Sequence, residues 1–177
     1  MRTPRLGAFF CAVLMLQVSV LAQELPKPAP EMSQIAYFEG SWSCQGKMNE
    51  SPLGPAGEIQ GSADIKRDLG GFWQSGTIKG TSKNMPPMEG RFHATYDPAA
   101  KQFMMLWVDN MGGWAQSRSS GWKGDTIVYE GEARMGPQKM RARDTFTRSG
   151  AGTMKHMWEA EIDGKWMVLG EETCRKK

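Results

Sequence analysis

The feature that most limits what this chain can fold into is its rhythm. From Ser41 onward, short runs of alternating character recur about every 8 to 14 residues, each closed by Gly, Pro, Asn or Asp. The runs are SWSCQGKM, GEIQGSADIKRDL, FWQSGTIKGTS, EGRFHATYD, KQFMMLWVD, GWAQSRSSGW, DTIVYEGEARM, KMRARDTFTR, TMKHMWEAEI and KWMVLGEET. The breaks between them are NESPLGPA, LGG, KNMPPM, DPAA, NMGG, KGD, GPQ, SGAG and DG. Each break carries turn chemistry: Gly for positive φ, Pro to preset φ, Asp or Asn to bond back to the backbone. None is long enough for a parallel crossover, so neighbouring runs should pair as antiparallel hairpins. About ten such strands cannot stay flat and keep one face dry, and closing into a barrel removes both edges and creates an interior. The expectation is therefore an all-β, roughly ten-stranded, antiparallel up-and-down barrel, wide enough to hold a small ligand.

Side-chain parity assigns faces in two of these strands. In Asp125 to Met135, Ile127, Tyr129, Gly131, Ala133 and Met135 fall opposite Val128, Glu130, Glu132 and Arg134. In Lys139 to Thr147, Met140, Ala142, Asp144 and Phe146 oppose Lys139, Arg141, Arg143 and Thr145. A tight turn at Gly136-Pro137 sets Glu130 across from Arg143 and Glu132 across from Arg141, which favours a salt-bridged solvent face. A basic binding stripe is the competing reading. KWMVLGEET is apolar on both faces, so its register calls for a bulge.

Upstream of the strands the pattern differs. MRTPR, then LGAFFCAVLMLQVSVLA, then Val20 and Ala22 at small-residue positions give the order of a secretory signal peptide over residues 1–22, with cleavage expected between Ala22 and Gln23. A membrane anchor is the alternative, but the run is short for a span. Gln23 to Pro30, QELPKPAP, reads as a Pro-rich linker. Met32, Ile35, Ala36 and Phe38 are spaced for one short helix before Gly40. Residues 31–177 are then one barrel domain in a periplasmic or secreted protein. Losing Arg2 and Arg5 with the leader lowers the formal charge from +3 to +1, which argues against a nucleic-acid partner. Cys11 leaves with the leader, and Cys44 and Cys174 remain. An oxidising compartment permits a disulfide between them, and two buried thiols are the other possibility.

The stretch FEGSWSC, with a short helix before it and a meander after it, resembles the Gly-x-Trp opening of the calycin superfamily, which includes lipocalins, fatty-acid-binding proteins and haem-binding nitrobindins. GSWSCQG is similar to the nitrobindin-type opening, with Cys44 in place of its middle glycine. Together with GGFW, ATYDPAAKQF, LWVDNMG and HMWEAEIDGKW, the segment from about Glu31 to Cys174 resembles a bacterial family known as a domain of unknown function. The resemblance implies a calycin-like barrel with no established activity. It also implies that Trp42 packs across one end of the barrel and that the last strand pairs with the first, so that a Cys44–Cys174 bond would pin the closing seam.

Several residues are candidates for chemistry. His156 shares a face with Met154, Trp158, Ala160 and Ile162 and should point inward. Two readings stay open for it: an axial haem ligand, as a nitrobindin-like barrel implies, or a core histidine satisfied by Asp144. Arg118 alternates with small residues in WAQSRSSGW. With its set inward it is a buried cation that needs an anionic ligand, Asp144 or Glu172, with Tyr129 to assist. With the small set inward it is solvated. Met85, Met88, Met154 and Met157 offer soft copper ligands or adaptable core filler. His93 lies on the polar face of its strand and is expected to be exposed. The sequence contains no G-x-S-x-G, H-E-x-x-H, C-x-x-C or P-loop.

The expected function is binding of a small hydrophobic or amphipathic molecule, with no cofactor. Trp42, Tyr129, Met154 and Trp158 are expected to line the cavity, and Arg118, Asp144 and His156 to anchor its polar end. A haem- or metal-binding barrel using His156, an enzyme using an Asp144–His156 acid–base pair, and a structural envelope protein are the alternatives.

Overall fold

A computed structural model describes residues 25–177. The expected signal peptide, its cleavage site and the first two residues of the linker lie outside the described residues. All ten runs form strands. They are β1 (Gly40–Met48), β2 (Gly57–Asp68), β3 (Trp73–Ser82), β4 (Met85–Asp97), β5 (Gln102–Asp109), β6 (Trp114–Ser119), β7 (Trp122–Lys123), β8 (Thr126–Met135), β9 (Gln138–Arg148), β10 (Thr153–Ile162) and β11 (Lys165–Lys176). The sixth run yields two pieces because the chain turns at Gly121, where φ is +93°. The two-residue β7 is an appendage on β8, so the wall has ten strands. Every pairing is antiparallel. β1 pairs with β11, and β6 pairs with β8, which closes the sheet.

Chain direction gives the barrel two unlike ends. β1 rises from the N-terminal segment, so the turns at 49–56, 83–84, 110–113, 136–137 and 163–164 gather at the far end, the mouth. The base is closed by the expected helix, which is a 3₁₀ helix over Pro30–Phe38. Its buried residues, Met32, Ile35 and Phe38, recur every third position, the period of a 3₁₀ turn. Side chains from the wall satisfy its carbonyls. Trp42 Nε1 donates to Phe38 O at 2.8 Å, Gln74 Nε2 to Ile35 O at 2.9 Å and Trp122 Nε1 to Gln34 O at 2.9 Å. Trp42, Phe103, Ile35 and Ile127 are almost wholly buried there.

Above the base the wall is lined differently. Phe92, Trp107 and Trp158 lie over Gly76, Gly90 and Gly170 on neighbouring strands, where an added Cβ would overlap the ring. Aromatic rings laid against strand glycines cover the backbone and support sheet curvature.

The outer hairpin has the expected register, with Glu130 across from Arg143 and Glu132 across from Arg141. Across β8 and β9 the ion pairs run diagonally, Arg141 to Glu130 and Lys139 to Glu132, while Arg143 pairs with Glu159 directly opposite on β10 and Arg141 also reaches Glu161. Trp166 lies beneath both guanidinium groups, at 5.5 Å from Arg141 and 4.3 Å from Arg143. The bulge expected in the last strand falls at Leu169, where pairing jumps from Trp158–Gly170 to Glu159–Val168.

Candidate functional site

The strand register brings three inner-face ionisable groups together. His156 on β10 lies directly across from Glu172 on β11 and from Phe146 on β9, and Asp144 sits two residues from Phe146 on the same face. Asp144 Oδ1 is 2.9 Å from His156 Nε2, and Glu172 Oε1 is 3.1 Å from Nδ1. The imidazole stacks on Phe146, with centroids 4.3 Å apart and planes 9° from parallel. Trp158 flanks it at 5.2 Å. The Cys44–Cys174 disulfide joins directly paired residues of β1 and β11 one inner-face step below Glu172. This arrangement is reached by solvent: the side chains of Asp144, His156 and Glu172 are 26%, 17% and 17% exposed.

Burial alone would push the His156 pKa down. The hydrogen bonds and charges of Asp144 and Glu172 outweigh that effect and raise it to about 9. At neutral pH the ring is therefore an imidazolium that donates both N–H groups to carboxylates. Tyr129, across from Asp144 on β8, is 2% exposed, and its hydroxyl makes no hydrogen bond among the described residues. Burial raises its pKa above the usual phenol value.

The expected site residues separate into three groups. Asp144, His156 and Trp158 meet in the interior, with Tyr129 beside them. Trp42 and Met154 belong to the buried base cluster, so Trp42 seals the barrel, as the resemblance implies, and does not line a cavity. Arg118 does not reach the interior. In β6 the small set, Ser117 and Ser119, points inward and is buried, while Arg118 is exposed and pairs with Asp97 at 3.5 Å. The physical reason is steric: Ser117 faces Gly131 across a close β6–β8 pairing that leaves no room for long side chains. Sequence reasoning considered Glu172 only as a possible partner of Arg118, not of His156, and did not count Phe146 as a site residue. Both could be found by parity, Glu172 from Cys174 and Phe146 from Asp144. His93 is exposed, as expected, and bonds Ser75 Oγ at 2.9 Å on the outer surface.

The interior does not fit an axial haem ligand in this arrangement. Metal ligation needs a free ring-nitrogen lone pair, and both His156 nitrogens face carboxylates. The same engagement leaves His156 no lone pair to act as a general base. Met154 and Met157 sit on opposite faces of β10, so the four methionines do not converge as a copper site. Cys44, Cys174 and Glu172 lie close together, but the two sulfurs are joined in the disulfide.

Fold and interior define a closed ten-stranded antiparallel barrel plugged at one end, with a solvent-reached cluster of carboxylates and histidine inside. The chain belongs to the family described as protein of unknown function DUF1579, which matches residues 27–176. Among solved structures it is similar to Rv2717c from M. tuberculosis, with TM-score 0.65 and 11% identity over 85% of this chain and 99% of that one. It is also similar to the S-type phycobiliprotein lyase CPES from Guillardia theta, with TM-score 0.51 and 12% identity over 82% of this chain and 90% of the lyase. At these identities the likeness is one of fold. No curated protein matches the chain.

Proposed function

We propose that this is an exported barrel that holds a small hydrophobic or amphipathic molecule in its interior. The observation that carries the reading is the lining above the plugged base. Three aromatic rings lie flat against glycines, and a polar cluster beside them remains accessible to solvent. A barrel filled by its own side chains would bury these groups. Mostly apolar walls with a few convergent polar groups are the usual composition of a small-molecule site. Export rests on the leader-like N-terminal sequence and on the disulfide, a bond favoured in oxidising compartments.

Titration with the apolar fluorophore N-phenyl-1-naphthylamine tests the reading. Saturable one-to-one binding is expected, with energy transfer from tryptophan that falls in Trp158→Phe. Absence of saturable uptake would contradict an open interior.

A further inference from the structure

The charge of the interior selects among ligands. The carboxylates of Asp144 and Glu172 have His156 as their only ion-pair partner among the described residues. Two carboxylates and one imidazole sum to −1 with the ring protonated and −2 with it neutral, so the cluster is anionic in either state. The nearby wall cations face away from it. Lys47 pairs with Glu171 and Arg143 with Glu159 on the outer surface, and Lys155 is exposed there. Arg118 is also outside, and Arg148, the next residue after Phe146 on that face of β9, is turned to the base, where it lies 3.5 Å over the Trp122 ring and donates to Gln34 O at 3.3 Å, so among the described residues no Lys or Arg pairs with the cluster.

The rest of the lining suits a positive charge. Phe146 already carries the imidazole ring on its face, and Trp158 stands beside it. Aromatic faces attract ammonium and guanidinium groups through the ring quadrupole, most strongly when water is excluded. One buried inner-face hydroxyl, Ser117 Oγ on β6, lacks a partner among the described residues, and the hydroxyl of Tyr129, across from Asp144 on β8, makes no hydrogen bond among them either. Buried polar groups are normally hydrogen-bonded, so unpaired ones beside an accessible cluster point to a missing partner.

We propose that the molecule held in the barrel is an organic cation: an amphipathic amine or quaternary ammonium whose charged end lies at Asp144 and Glu172 and whose apolar part runs past Trp158 toward the mouth. This rests on the reading of the interior as a small-molecule site. It separates this barrel from fatty-acid carriers, whose ligands bring a carboxylate.

The test compares two probes of equal chain length and opposite charge, decyltrimethylammonium and decanoate, below their micelle concentrations. The signal is tryptophan fluorescence of the mature protein at pH 7.5. The ammonium is expected to bind about tenfold or more tightly than the carboxylate. Glu172→Gln and Asp144→Asn, each checked for a native circular dichroism spectrum, should each erode that preference several-fold. Equal or tighter binding of decanoate would overturn the cation assignment and leave the binding reading standing. If neither probe binds and N-phenyl-1-naphthylamine also fails, the binding reading falls and this one with it. If neither binds while the fluorophore does, the cation assignment alone is overturned.

Discussion

Replacing His156 with Gln should remove a pH-dependent part of the folding free energy, and the structure sets its size. The folded-state pKa is raised from 6.5 to about 9 by the flanking carboxylates. With about 1.4 kcal/mol for each pH unit between those values, the imidazolium contributes about 3 kcal/mol. Solvent screening discounts this little, because the side chain is only 17% exposed. The sign follows from linkage. A raised histidine pKa means that the folded state holds the proton more tightly, so the contribution is complete below pH 6.5 and is lost as pH rises through about 9. Urea unfolding of the native protein and His156→Gln, followed by tryptophan fluorescence from pH 6 to 10, gives the difference between them. That difference should shrink by about 3 kcal/mol across the window. An imidazole carbon resonance titrating near pH 9 should accompany it. A difference flat with pH, or a midpoint at or below 6.5, would refute the doubly paired imidazolium.

Three further outcomes follow from the wall. Reducing the Cys44–Cys174 bond, or replacing both residues with Ser, opens a link between positions 130 residues apart. It should cost on the order of 4 to 5 kcal/mol, read as a shift in the urea midpoint. Gly90→Val places a side chain where the Trp107 ring lies, and should lower stability by about 1 to 3 kcal/mol by thermal or urea unfolding. Arg118→Ala removes an exposed partner of Asp97 and should change stability by less than about 1 kcal/mol, with binding of either charged probe unchanged in titration.

Much of this fold could be read from the sequence, because strand parity and turn chemistry are local signals. The ten runs became the ten wall strands, and the Glu130–Arg143 and Glu132–Arg141 register followed from one turn at Gly136-Pro137. The bulge in the last strand was visible as an apolar pattern on both faces, and the structure resolves it at Leu169. The helix type was not foreseen, although the threefold spacing of Met32, Ile35 and Phe38 is a 3₁₀ signal. The pairing of Asp144 with His156 was legible because parity put both inside on neighbouring strands. Glu172 entered only as a possible counter-ion for Arg118 and not as a partner of His156, because the bulge lies between it and the start of its strand and obscures parity counted from Lys165. Counted back from Cys174, it falls inside. Arg118 shows the limit of alternation: large and small residues alternate in β6, and the pattern alone does not say which set faces in. Tertiary closeness to β8 decides it.

The central claim is an open barrel that carries a small molecule, and native mass spectrometry of the mature protein purified from a periplasmic extract tests it most directly. The predicted result is a protein mass two protons below the fully reduced value, with a non-covalent adduct in one-to-one ratio that leaves on collisional activation. A bare protein mass in every preparation, at activation energies too low to strip a bound molecule, would contradict it.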